Sequence, residues 1–257
     1  VSAVEPGTRE WDAQAYHRVS TIQQRWAQRV MERLELRGDE TLLDAGCGSG
    51  RVTAQLAERL PGGKVIGVDG SEAMIAEARE FLGPEAELIH SDLLELDFDE
   101  PVDAVFSNAV FHWVTDHPAL FRRLAANMRP GAQLVVQCGG EGNIARFNDH
   151  TRDVILGSRF ASYFEGWKRP WQFSSPAETE RALADAGFGD IHCWLDEQPE
   201  VPEEPREFLR VVCLNPHLTR LPDEIHDEFI DAVLEALPEP ATIDYVRLNI
   251  DATRGAS

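Results

Sequence analysis

Three glycines at alternate positions, in Asp44-Ala-Gly46-Cys-Gly48-Ser-Gly50, are the first residues in this chain whose spacing can do chemistry. Glycine lets a backbone turn sharply and come close to a ligand with no Cβ in the way. The amides of a helix that opens there can hold an anionic group such as a carboxylate. Asp69 closes the next apolar run, where a carboxylate can accept hydrogen bonds from both hydroxyls of a ribose. Asp92, after Ser91, closes the run beyond it and can accept from an adenine amino group. A dinucleotide fingerprint, G-x-G-x-x-G, would need glycine at position 51, where this chain has Arg51. The spacing therefore weakens a nicotinamide reading.

A second group of residues could act on an acceptor. His112, in Asn108-Ala-Val-Phe-His112-Trp113, is the nominee for a general base if the acceptor is a hydroxyl or a carbon acid. Its other reading is a hydrogen bond to nearby backbone. A carboxylate acceptor, ionised at neutral pH, needs no base and only orientation by Arg or Lys. Arg146, Lys168 and Arg169 are the candidates, with a surface role as the alternative. Around them, 141–175 holds Phe147, Phe160, Tyr163, Phe164, Trp167, Trp171 and Phe173. Such aromatic density suits an insertion folded over a pocket, although Phe160 and Phe164 read better as a small core of their own.

The elements that must position these groups alternate. Thr41–Ala45, Lys64–Asp69, Glu87–His90, Val102–Ser107 and Ala132–Gln137 read as strands, separated by helical patterns near 51–60, 71–82 and 119–128. Strands alternating with helices mean βαβ units and a parallel sheet. Ser71, followed by Glu72, is placed to cap the second of these helices. Ahead of the repeat, Tyr16, Val19, Ile22, Trp26, Val30 and Leu34 trace one helical face, with a break expected near Ser20. Beyond Pro176 a helix, a strand near 191–195 and helices near 204–214 and 222–236 follow. Thr242–Ile250 alternates apolar and polar residues as a strand near a sheet edge should.

Composition excludes several functions. The net charge of −21, from 45 acidic against 24 basic residues, repels phosphate backbones and argues against nucleic acid as a partner. No apolar run approaches membrane-span length. Val1–Glu10 lack the basic start and apolar core of a secretory signal, and the expected location is cytoplasmic. Cys47, Cys138, Cys193 and Cys213 are scattered and never form C-x-x-C, so neither a metal nor a disulfide framework is expected.

Together the glycine loop, Asp69 and Asp92 resemble the class I S-adenosylmethionine (SAM)-dependent methyltransferases. The resemblance implies a Rossmann-like α/β fold with a seven-stranded, mostly parallel sheet whose last strand is antiparallel. It also implies an N-terminal helical lid over 1–37, a cofactor-binding core over 38–140, a helical insertion after the fifth strand over 141–175, and a C-terminal part of the same domain over 176–257. Carried over residue by residue, Gly46, Gly48 and Gly50 lie against the amino-acid part of SAM, Asp69 holds the ribose, Asp92 meets the adenine and Leu93 packs on it. Asp44, Cys47, Gly70, Ser71, Met74 and Asn108 join that set, and Tyr16 and Gln23 cover it from the lid. The segment from Asn108 to His112-Trp113, followed by Asp116-His117, is similar to that of trans-aconitate and juvenile hormone acid methyltransferase relatives. In such enzymes it lies beside the sulfonium and the acceptor, with Trp11, Trp113, Arg146, Trp167 and Trp171 as the expected acceptor contacts here. The implied activity is methyl transfer to a small molecule, with a carboxylate oxygen favoured. Methylation of a hydrophobic specialised metabolite at carbon or oxygen, and a non-catalytic SAM-binding module, are the alternatives. A monomer or homodimer is expected.

Overall fold

The computed structural model describes residues 21–256. Seven strands form one sheet in the order β3-β2-β1-β4-β5-β7-β6. They are β1 (Thr41–Ala45), β2 (Lys64–Asp69), β3 (Glu87–His90), β4 (Val102–Asn108), β5 (Met128–Gly139), β6 (Phe188–Glu197) and β7 (Val246–Arg254). β1 to β5 pair in parallel, and β7 runs antiparallel to both of its neighbours. Because the order reverses between β1 and β4, the carboxyl ends of those two strands open a crevice, the usual ligand position in such sheets.

Helices cover both faces. On one, Val30 of α1 (Thr21–Met31) and Leu56 of α2 (Arg51–Glu58) bury against Leu42, Phe106 and Val135. On the other, Leu120 and Phe121 of α4 (His117–Ala126) and Leu183 of α6 (Pro176–Asp185) bury against Leu43, Val68, Leu134 and Ile250. α3 (Glu72–Leu82) starts where expected, with the Ser71 hydroxyl accepting the Met74 amide at 3.3 Å. α4 is capped by Asp116, whose carboxylate accepts the Ala119 amide at 2.9 Å.

A second apolar cluster sits above the crevice. It joins Phe147 and Ile155 of α5 (Ala145–Leu156), Phe160 and Phe208 to Phe229, Ile230 and Val233 of α7 (His226–Ala236). Trp26 of α1 and Tyr245 complete it. Segments on both sides of β6 thus share one cap. The expected helix near 204–214 is broken into a short α-turn over Pro205–Phe208 and a π-turn over Leu209–Cys213.

The last strand begins at Val246 instead of Thr242 and lies one in from the sheet edge, which β6 forms. The alternation that suggested an edge is real, but its polar face is covered by protein. Leu248, Ile250 and Ala252 enter the main core, while Asn249 and Asp251 meet Arg33 at 2.5 and 3.1 Å. No helix among the described residues is long and apolar enough to cross a membrane. No group of His, Cys, Asp and Glu among them is placed to hold a metal.

Candidate active site

The glycine loop links β1 to α2, and its three glycines do different work. All have positive φ, at 87°, 53° and 81° for Gly46, Gly48 and Gly50. A Cβ on Gly46 would stand 2.1 Å from Val110, and one on Gly50 would stand 2.7 Å from Leu82. These two let the loop pack. A Cβ on Gly48 would meet no atom within 4 Å, so its open face is where a ligand can lie against the backbone. Asp69, at the end of β2, fixes this geometry by accepting the Gly48 amide at 2.9 Å on one oxygen and the Ser71 amide at 2.9 Å on the other. A carboxylate has about four acceptor sites, so Asp69 can accept more than these two bonds.

Asp44 lies beneath the loop, 1% exposed, and accepts the Thr53 hydroxyl at 2.7 Å. Burial pushes its carboxyl up to about 7; the Thr53 bond opposes this and the Asp69 charge adds to it. Asp92 follows β3 and accepts the Leu94 amide at 2.9 Å. Leu93 follows it and is buried in the main core. Gly70 follows Asp69, and its carbonyl accepts from His90 Nε2 at 3.0 Å. Met74 is buried in the first turn of α3, and Cys47 is a buried free thiol whose pKa burial raises. Asn108 ends β4, and Ala109 after it takes a φ of 64°, which turns the chain into the acceptor side.

That side is a cleft with about 60 Å³ of water-accessible space, with Trp26, His112, Trp113, Trp171, Phe173 and Arg247 in its walls. Trp113 and Trp171 meet edge to face, with ring centres 6.0 Å apart. His112 is 8% exposed, and its Nδ1 accepts the Gly139 amide at 3.2 Å. A backbone N–H is always a donor, so Nδ1 must carry a lone pair, which leaves the proton of the neutral ring on Nε2. Of the two readings of His112, a hydrogen bond to nearby backbone is the one present. Its carbonyl accepts the Gln172 amide at 2.8 Å, which ties the segment after α5 to the cleft.

The structure gathers some expected acceptor residues and disperses others. Trp113 and Trp171 line the cleft. Trp167 stands behind Trp171 and packs on Phe164 and His217, with ring centres at 5.6 and 4.7 Å. Phe160 and Phe164 both pack on Phe229, in the small core expected for them. Arg146 is not brought to the cleft: its side chain is 76% exposed and lies 3.6 Å from Asp244. Asp244 also accepts the Arg146 and Phe147 amides, so it caps α5 and draws Arg146 outward. Lys168 and Arg169 are exposed. Trp11 and Tyr16 lie outside the described residues, as does the side chain of Gln23.

The cation in the cleft is one that sequence reasoning passed over. Arg247, on β7, is 2% exposed, with its guanidinium carbon 4.5 Å above the Trp26 ring. Its signal was an arginine at a polar position of Thr242–Ile250, which reads as solvent-facing unless a helix is known to cover that face.

Comparison with known proteins agrees with this geometry. A family described as a methyltransferase domain matches residues 42–131, the stretch from β1 into β5. The trans-aconitate 2-methyltransferase of Azoarcus sp. (strain BH72) is 39% identical over 127 residues, which cover 49% of this chain and 50% of that protein. The match thus spans about half the length of that relative. The enzyme of the same name from Deinococcus radiodurans is 31% identical over 233 residues, covering 86% of this chain and 87% of its own. The chain belongs to the class I SAM-dependent methyltransferases. The fold agrees: Haemonchus contortus phosphoethanolamine N-methyltransferase 2, solved in complex with SAM, superposes with a TM-score of 0.61 at 20% identity, covering 95% of this chain and 57% of that one. SAM is the methyl donor of the family, and the open face of Gly48 beside the Asp69 carboxylate suits it.

Proposed function

We propose that this methyltransferase esterifies a small organic acid, transferring the methyl group to a carboxylate oxygen. The observation that carries this is the commitment of His112 Nδ1 to the Gly139 amide. No carboxylate lines the cleft among the described residues, and burial pushes the Cys213 thiol in its wall up to about 12. Among the described residues the cleft thus holds donors and apolar surface but no ready base. An ionised carboxylate is the acceptor that needs none. The names of the Azoarcus and Deinococcus relatives support the same acceptor chemistry.

When bound, SAM supplies a methyl carbon to which the carboxylate oxygen bonds as the bond to the sulfonium sulfur breaks, its electron pair staying on sulfur. The chain's part is to hold and align. Gly48 and Asp69 seat the donor, with Asp92 proposed for the adenine and Asn108, Gly70, Ser71 and Met74 around them. Trp113 and Trp171 exclude water. Residues 141–175 act as a cap together with the helices beyond β6; most of the lid expected over 1–37 lies outside the described residues.

The test is to offer the purified protein labelled SAM with a set of carboxylic acids, their amides, and phenols. Base-labile methyl esters of acids are expected, with no product from amides. Methylated phenols without esters would favour the specialised-metabolite reading. SAM binding with no product from any acceptor would favour a non-catalytic module.

A further inference from the structure

Resting on the carboxylate reading, we infer that the Asn143 side-chain amide holds the acceptor's carboxylate by the oxygen that is not methylated. Asn143 lies between β5 and α5, is 4% exposed and forms part of the cleft wall. The turn that carries it is strapped to β7. The Gly140 amide donates to the Val246 carbonyl at 3.0 Å, and the Val246 amide donates to Asn143 Oδ1 at 3.0 Å. The Asn143 backbone amide closes the turn on the Gly140 carbonyl at 2.9 Å. The side chain thus continues the β5–β7 ladder one step past the Gly139–Arg247 pair.

A backbone N–H only donates, so the atom that meets Val246 is the side-chain oxygen and the opposite atom is the NH2 group. That nitrogen, Nδ2, lies over the end of β5 beside the Phe173 ring: a Cβ on Gly139 would stand 2.8 Å from Nδ2 and 2.7 Å from Phe173. It donates to no oxygen or nitrogen among the described residues. The other polar walls are engaged. His112 Nδ1 accepts the Gly139 amide, the Cys213 thiol lies 3.8 Å from the Tyr245 hydroxyl, and Arg247 lies over the Trp26 and Tyr245 rings. A buried donor left without an acceptor is costly, and a ligand oxygen in the cleft is the partner that Nδ2 lacks.

A neutral donor suits the reaction. As the carboxylate oxygen bonds to the methyl carbon, the C–S bond breaks, its electron pair stays on sulfur, and the carboxylate and sulfonium charges disappear together. A cationic clamp on the reacting group would bind the charged acid more strongly than the transition state, which works against the rate. The bond from Nδ2 to the second oxygen persists, because that oxygen becomes the ester carbonyl and still accepts. It also leaves the first oxygen free to attack and fixes its direction of approach.

N143D separates this role from a structural one. It keeps an oxygen for the Val246 amide and replaces the donor with a second, negatively charged oxygen. The test measures kcat and KM of wild type and N143D with cinnamate, benzoate, hexanoate and trans-aconitate, SAM affinity by calorimetry, and Tm. For the acid that wild type esterifies best, KM should rise at least about tenfold in N143D, as when a hydrogen bond to a charged group is lost. SAM affinity and Tm should stay near those of wild type. An unchanged KM, or a rise matched by an equal loss of SAM affinity, would overturn the inference while leaving the carboxylate reading intact. No ester from any of these acids would remove the carboxylate reading and the inference with it. Should N143D not fold, NMR of wild type carrying isotope-labelled asparagine decides. The Asn143 NH2 signals should shift when the esterified acid is added with S-adenosylhomocysteine, and signals that stay in place would overturn the inference.

Discussion

The two halves of the crevice are built in opposite ways. The donor half, at the ends of β1, β2 and β3, is made of short contiguous motifs whose backbone does the work: the amides of Gly48 and Ser71 converge on Asp69. The acceptor half, at the ends of β4, β5 and β7, is assembled from Trp26, His112, Trp171 and Arg247, which come from four separate parts of the chain. A site built from backbone tolerates few residue types at each position. A site built from distant side chains can change its acceptor while the donor half stays as it is.

Substitutions should separate the halves. The largest effect is expected from G48V. The β-branched side chain would fill the open face, and SAM binding should vanish in calorimetry, while the positive φ costs about 1–2 kcal/mol of stability. Retained SAM affinity would place the donor elsewhere.

Next, W171A and W167A should divide by position. W171A should raise the acceptor KM with SAM affinity unchanged, because Trp171 is cleft wall. W167A should leave KM alone and lower stability by about 2–3 kcal/mol, as for a partly buried ring removed from its packing. Equal KM effects would merge the small core with the acceptor site.

Asp44 gives a pH test of the donor half. Its folded pKa of about 7 lies above its ordinary 3.8. The native state therefore holds that proton more tightly than the unfolded state does. The stability this confers is complete below the ordinary value and is lost as pH rises to about 7. D44N cannot ionise, so chemical denaturation should show it gaining on wild type across that window and levelling off above it. A constant difference would mean that Asp44 is not buried as a carboxyl. The smallest effect is expected from R146A, whose kcat/KM should stay within about twofold of wild type, as for an exposed surface cation.

The same contrast explains what the sequence made legible. The glycine loop, Asp69 and the Ser71 cap were readable because local backbone geometry demands those residue types at those spacings. The parallel sheet and its antiparallel last strand were readable from alternation and resemblance. What covers that strand's polar face was not, because a face covered by Arg33 of the chain has the same alternation as one covered by water. Arg247 was missed for the same reason, and Arg146 was overvalued because nothing local announces that Asp244 caps α5 beside it. His112 was found, but its role depends on Gly139, a contact across strands that no spacing reveals.

The decisive measurement is kcat against pH for ester formation at saturating SAM, in wild type and H112A. If the acceptor half only binds and orients, kcat should be flat from about pH 6 to 9, since an acid of ordinary pKa is already ionised there. H112A should lower the curve without changing its shape. A rate that climbs through neutrality in wild type, with the climb lost in H112A, would show His112 taking a proton and would contradict base-free transfer to a carboxylate.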